Sequence, residues 1–159
     1  MVVAIIGIIS AIAAFSIRQT EYAGTVHGFA AEVAAELDAA AASAVGTRRI
    51  HQVTFTGAGT DYRIEIDRCQ TVGMGACALF DPVRQLYPPR KVQVNAIDLG
   101  VQDVTGGGNP GTGVPSTLFF SPDGSSTGAT IYIHDQADRR RARVAVYPIT
   151  SSTHVFDHW

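Results

Sequence analysis

The sequence predicts an α+β fold in which one long N-terminal helix packs on, and protrudes from, an antiparallel β-sheet domain. Three observations carry this. Residues 1–17 are all uncharged. From Ser16 to Val45 there is no Pro, and apolar residues recur three and four apart, the spacing of one helix face. After Gly46 the period changes to the alternation of strands. At 159 residues the chain can enclose one real core. Its net charge of −2 implies no bulk attraction to nucleic acid or to acidic lipid. One Lys stands against eleven Arg, with sixteen Gly and only 16% charged residues, a composition that hints at a secreted or envelope protein.

The opening "MVVAIIGIISAIAAFSIRQ" holds no charge before Arg18. Val2, Val3, Ile5, Ile6, Ile8, Ile9 and Ile12 cover every face of a helix, and Phe15 extends the run. A helix apolar all round belongs in lipid or in the centre of a large assembly. The stretch falls a little short of the roughly 20 residues of a full span. A signal peptide would carry a basic segment before its apolar core; here the core begins at Met1, although Ala11-Ile12-Ala13 offers a small-residue cleavage site. A plain buried helix is the third alternative.

The next stretch is amphipathic. Val26, Phe29, Val33, Leu37, Ala40 or Ala41, and Ala44 form one stripe, and Glu32, Glu36 and Asp38 take the other side. Gly46 reads as the C-terminal stop, with Arg48 and Arg49 beside it. A continuous helix from Met1 to Val45 would be about 65–70 Å long. It outruns a domain of this size, so its first half must protrude. The expected divisions are 1–17, the apolar half; 18–46, the amphipathic half; and 47–159, a β-rich head.

In the head, "HQVTFTGAGTDYRIEID" reads as a hairpin. Val53 and Phe55 lie on one arm and Tyr62, Ile64 and Ile66 on the other, with Gly57-Ala58-Gly59 between. "KVQVNAIDL" adds a strand with Val92, Val94 and Ala96 on one face. "STLFF", "ATIYIHD" and "ARVAVYPI" give three more, and "THVFDHW" a last edge strand. Cys69 and Cys77 stand eight apart. In an exported protein such a pair forms a disulfide; free buried thiols in a cytosolic protein are the alternative. Zinc is disfavoured, because there is no further Cys and the histidines are scattered.

Several patterns mimic chemistry. Gly106, Gly108 and Gly111 match a dinucleotide fingerprint, but Pro110, Gly113 and Pro115 forbid the helix it needs. The stretch reads as a surface loop. "GSSTG" fits a nucleophile elbow at Ser126, with Asp135 and His154 following in the chain order of a hydrolase triad. The elbow must lead into a helix, and "ATIYIHD" alternates as a strand, so Ser126 reads as a turn residue and a serine hydrolase is the remote alternative. In "DRRRAR", Arg139, Arg140, Arg141 and Arg143 form a basic run. It reads as a solvated hairpin, or else as a salt-sensitive grip on DNA phosphates. His154, Asp157 and His158 cluster near the end, but a terminal tail is usually frayed and no metal site is assigned. His27 and His51 read as surface positions. Trp159 would tuck against the sheet or meet a neighbouring subunit.

"MVVAIIGIISAIAAF" resembles the N-terminal segment of type IV pilins and type II secretion pseudopilins. "LFFSPDGSSTGATIYIHD…RRRARVAVYPITSSTHVF" is similar to the C-terminal sheet of the GspH/FimT type of minor pseudopilin, with its phenylalanine strand, Pro-x-Gly turn and basic-led strand. The family's basic Gly-ending leader, methylated aromatic and glutamate would precede Met1, so the resemblance implies first turns upstream of this sequence. It implies a pilin-like fold and a structural subunit of a pilus or secretion filament, with no enzyme activity, cofactor or small-molecule substrate. Residues 1–17 would sit in the inner membrane and then in the filament core, with the head in the periplasm. Val26, Phe29, Val33 and Leu37 would pack the helix on the head, and other pilin or pseudopilin subunits would be the partners. Some FimT-like members bind DNA through basic residues near the C-terminus. The tail "HVFDHW" is not basic, so Arg139, Arg140, Arg141 and Arg143 would have to serve that alternative.

Overall fold

Helix α1 runs from Val2 to Thr47 in the computed structural model, which describes residues 2–56, 63–99 and 116–157, with side chains from residue 25 onward. Val26, Phe29, Ala30, Val33, Leu37, Ala40 and Ala44 are buried along one side of it. Their spacing of three and four is the reason: it keeps every one on the same face. The stripe from Val26 to Ala44 covers about 28 Å of a helix about 70 Å long, so the N-terminal half reaches well past the seam.

The helix ends later than Gly46. It continues through Thr47, and Arg48 takes the left-handed conformation at φ 55°. The Arg48 N–H donates to the Val45 carbonyl (3.3 Å) and the Arg49 N–H to the Ala44 carbonyl (3.2 Å). This is the paired bonding of a Schellman end, made without glycine at the left-handed position. The Arg48 carbonyl accepts the Gly73 N–H at 2.6 Å, so a contact from outside the helix holds its terminus.

Among the described residues eight antiparallel strands follow: β1 (His51–Thr56), β2 (Arg63–Cys69), β3 (Phe80–Leu86), β4 (Val92–Leu99), β5 (Ser116–Phe120), β6 (Ala129–Asp135), β7 (Arg141–Val146) and β8 (Thr153–Phe156). They form two four-stranded sheets, ordered β3-β2-β1-β5 and β4-β6-β7-β8. Strand β3 lies in a stretch where alternation gave no signal, because Pro82 interrupts it. Ile66 pairs with Arg84 and Asp67 with Pro82, leaving Val83 as the extra residue of a bulge. An edge strand with a bulge is where a sheet tolerates Pro.

The apolar face of α1 shares one core with Val53, Phe55, Ile64, Ile66, Leu118 and Phe120 of the first sheet. Ile131, Ile133, Val144 and Val146 of the second complete it. The helix touches strands of both sheets. Polar contacts flank this seam. Arg84 of β3 pairs with Glu36. The Thr153 N–H donates to Asp38 Oδ1 at 3.2 Å, and His27 Nδ1 lies 2.7 Å from Asp157 Oδ1.

Candidate functional site

The head presents a helix terminus, an apolar edge and a basic turn. At the helix terminus, Cys69 and Cys77 form a disulfide with Cα atoms 5.9 Å apart. Cys69 is buried at the end of β2, and its N–H donates to the Ile50 carbonyl at 2.8 Å. The loop it closes carries Gly73, at φ 112°, whose N–H reaches Arg48. The left-handed backbone there suits glycine. The disulfide loop thus ties the end of α1 to the first sheet.

His51 sits in the same corner and is buried, 3% exposed, not at the surface. β1 is an inner strand, and His51 begins its inward alternation with Val53 and Phe55. Arg68 and Phe120 are its cross-strand neighbours. Burial holds its pKa below the usual 6.5; the Arg68 charge adds to that, while the Arg49 carbonyl, 3.3 Å from Nδ1, opposes it.

On and beside β3, the outer strand of the first sheet, Leu79, Val83 and Tyr87 are exposed, as are Val72 and Met74 on either side of Gly73 in the disulfide loop. Three belong to the disulfide loop and its exit, and Val83 is the bulged residue of β3. Three exposed apolar side chains on and flanking an edge strand, Leu79, Val83 and Tyr87, fit a contact surface.

The four arginines of the β6–β7 turn separate into three environments. Arg143 is buried, 1% exposed, with its guanidinium 4.6 Å from the centroid of the Phe156 ring. Arg141 binds Asp138 through two hydrogen bonds of 3.0 and 2.6 Å, which hold the Asp138 carboxyl below the ordinary carboxylate range. Arg139 and Arg140 are exposed. Their N–H groups donate to Asp135 Oδ1 at 2.7 and 3.2 Å, so a buried carboxylate shapes the turn. Ala142, Val144 and Val146 face the helix core, so alternation puts Arg143 on the opposite face of the second sheet, beside Tyr132 and Phe156 of the neighbouring strands. It is buried there because β7 is covered on both faces, which no pattern in the sequence signals.

Ser126, Asp135 and His154 do not converge. Ser126 lies before β6 and its hydroxyl donates to the Tyr147 carbonyl at 3.3 Å. Asp135 closes the opposite end of β6. His154 meets the Tyr147 ring edge-on at 5.4 Å. A strand, not a helix, follows Ser126. Among the described residues no group of three or more His, Cys, Asp or Glu side chains can hold a metal. His158 and Trp159, and Gly106, Gly108 and Gly111, lie outside the described residues. So do the side chains of Val2, Val3, Ile5, Ile6, Ile8, Ile9, Ile12 and Phe15. Among the described residues no helix is long and apolar enough to cross a membrane.

No model of a protein family matches the sequence, and no curated protein matches it. Solved structures do. A crystal structure of the minor pseudopilin EpsH from the type II secretion system of Vibrio cholerae superposes with a TM-score of 0.60 at 13% identity, over 86% of this chain and 96% of that one. A second structure of EpsH gives 0.57 at 14% identity, over 84% and 97%. Over most of its length the chain has the fold of a minor pseudopilin: an N-terminal helix laid on antiparallel sheets.

Proposed function

We propose that this protein is a non-enzymatic filament subunit, a minor pseudopilin or pilin, that acts through where its helix and head are placed. One observation carries the reading. A 46-residue helix is gripped by both sheets along its second half, while its first half, uncharged through Ile17, extends beyond them. In the membrane the apolar half holds the subunit, with the head in the periplasm. On assembly that half leaves lipid for the company of similar helices. Lipid is as apolar as they are, so close packing and polar contacts must drive the step. The exposed edge of Leu79, Val83 and Tyr87 then suits contact between neighbouring heads. Cargo grip through the arginines is not favoured, since Arg143 is buried and Arg141 is neutralised by Asp138.

The test is membrane fractionation of the full chain with periplasmic cysteine cross-linking to co-expressed pseudopilins. The chain should resist alkaline extraction from membranes, and a Val83→Cys variant should form mixed disulfides with partner subunits carrying a matching cysteine. Release into the soluble fraction, together with no cross-link above that of an unrelated periplasmic protein, would overturn the proposal.

A further inference from the structure

The direction of the strands along α1 locates the basic loops. Thr153, at the start of β8, touches Ala34 and Asp38, whereas Asp157, just past its end, touches His27. β8 therefore runs toward the helix N-terminus. β7 and β8 are antiparallel, as are β6 and β7, so the β6–β7 turn lies at the end of the head nearest the helix's apolar half. β4 pairs with β6 antiparallel, with Val92 opposite Asp135, and so begins at the same end. The loop before it, Pro88-Pro89-Arg90-Lys91, abuts the turn: the Gln136 N–H donates to the Lys91 carbonyl at 2.9 Å. Together they line a shallow cleft of about 330 Å³.

Five of the chain's twelve basic residues, Arg90, Lys91, Arg139, Arg140 and Arg141, are exposed on these two loops. Asp138 is the exposed carboxylate among them, since Asp135 is buried under the turn. The rest of the chain is correspondingly acidic, given a net charge of −2 overall. The head meets the helix at His27, and the uncharged stretch ends before Arg18. The intervening turns span about 14 Å. Phospholipid headgroups fill about 5–7 Å of that gap, and long Lys and Arg side chains reach across the remainder. That remainder, about 7–9 Å, is close to one Debye length at physiological salt.

We propose that Arg90, Lys91, Arg139 and Arg140 form a basic collar that docks the base of the head on anionic phospholipid headgroups while the helix is in the membrane. This rests on the membrane placement proposed above and adds a partner chemistry to it. The collar faces the same direction as the apolar helix end, a placement that a lipid surface satisfies and a diffusing polyanion does not require. Juxtamembrane basic clusters recognise acidic leaflets in this way, and salt screens the attraction.

The experiment is hydrogen exchange of the full chain in lipid nanodiscs, either wholly phosphatidylcholine or with about a third phosphatidylglycerol, a content chosen to give a negative leaflet. Amides of residues 87–92 and 135–141 should exchange severalfold more slowly in the anionic discs. High salt should abolish the difference, as should the R90Q/R139Q/R140Q variant, which leaves Asp135 and the Asp138–Arg141 pair in place. Unchanged exchange in β1 and β6 certifies that the variant is folded. Equal exchange in the two discs, with the chain incorporated in both, would overturn the collar and leave the anchor standing. Protection by added duplex DNA but not by anionic lipid would overturn it in favour of nucleic acid. Failure to enter either disc would overturn the anchor and the collar together.

Discussion

Removing the Cys69–Cys77 bridge tests whether the loop at the helix terminus stabilises the fold through the unfolded chain. The sequence separation is 8, and for a loop that short the chain-entropy relation gives about 2.5 kcal/mol at 25 °C. Native contacts hold the same loop independently: the Cys69 N–H bonds Ile50, the Gln70 N–H bonds Leu79 and the Gly73 N–H bonds Arg48. Reduction should therefore leave the native geometry in place and act on the unfolded ensemble. The assay is thermal and urea unfolding of the oxidised full chain, the reduced chain and the C69A/C77A variant in one mild detergent, followed by near-UV circular dichroism. A loss of about 2.5 kcal/mol should shift the thermal midpoint by about 5–10 °C for a chain of this size. Exchange at the Gly73 amide should accelerate more than exchange in β6. Unchanged midpoints on reduction would refute the reasoning. A lower m-value in the oxidised chain alone would point instead to residual structure in its denatured state.

Other substitutions probe the rest of the seam. Arg48→Gly should stabilise the protein by about 0.5–1 kcal/mol, because glycine removes the left-handed strain at φ 55° but loses more freedom on folding; a lower urea midpoint would contradict this. Leu37→Ala should cost about 2–5 kcal/mol, since Leu37 is fully buried between helix and sheets. Arg84→Ala should cost less than about 1 kcal/mol, because that ion pair is half-exposed. Equal losses in the two variants would overturn the view that the apolar stripe holds the helix. The pKa of His51 is lowered from 6.5 by burial, so below that pH the unfolded chain binds a proton that the folded chain resists. Stability is full above pH 6.5 and should fall as the pH drops below it, and His51→Gln should flatten that part of the stability–pH curve.

The helix stripe and β1 are legible in sequence because one face of each is buried and burial imposes a period, whereas β6 and β7, buried on both faces, are legible as β-branched and aromatic runs bounded by turn residues. Phe29 and Leu37 recur at helical spacing, and Val53 and Phe55 alternate. β3 is illegible for the converse reason. It is an edge strand, most of its residues face water, and Pro82 with its bulge breaks the alternation. Gly46 is the local stop signal, whereas the helix runs on to Thr47 and closes with Arg48 left-handed, its carbonyl held by Gly73, distant in sequence. His51 follows the same logic in reverse. Extending the Val53–Phe55 alternation back by two residues puts it inside, although its residue type suggests the surface. The basic collar is invisible to net charge. Arg90 and Arg139 are far apart in the chain and become neighbours only through the pairing of β4 with β6.

Alternating bulk along the seam decides how helix and head can move. Phe29 is followed by Ala30, Val33 by Ala34, and Leu37 by Ala40, so large and small side chains interleave with the sheets. Sliding α1 by one turn, about 5.4 Å, would bring Phe29 to a site shaped for a smaller residue and leave a void at its own. Overpacking and cavity formation each cost about 1–5 kcal/mol in a close-packed core. The polar contacts at His27, Glu36 and Asp38 would break together as well. The helix and head therefore move as one body. On the proposed membrane placement, drawing the apolar half out of the bilayer would lift the head by the same distance and carry Arg90, Arg139 and Arg140 away from the headgroups. The resistance to extraction then has an apolar part that salt hardly affects and an electrostatic part that salt weakens. Measuring subunit extraction at two ionic strengths, with and without the three Gln substitutions, separates them. A salt dependence that survives in the variant would place the electrostatic contact elsewhere on the head.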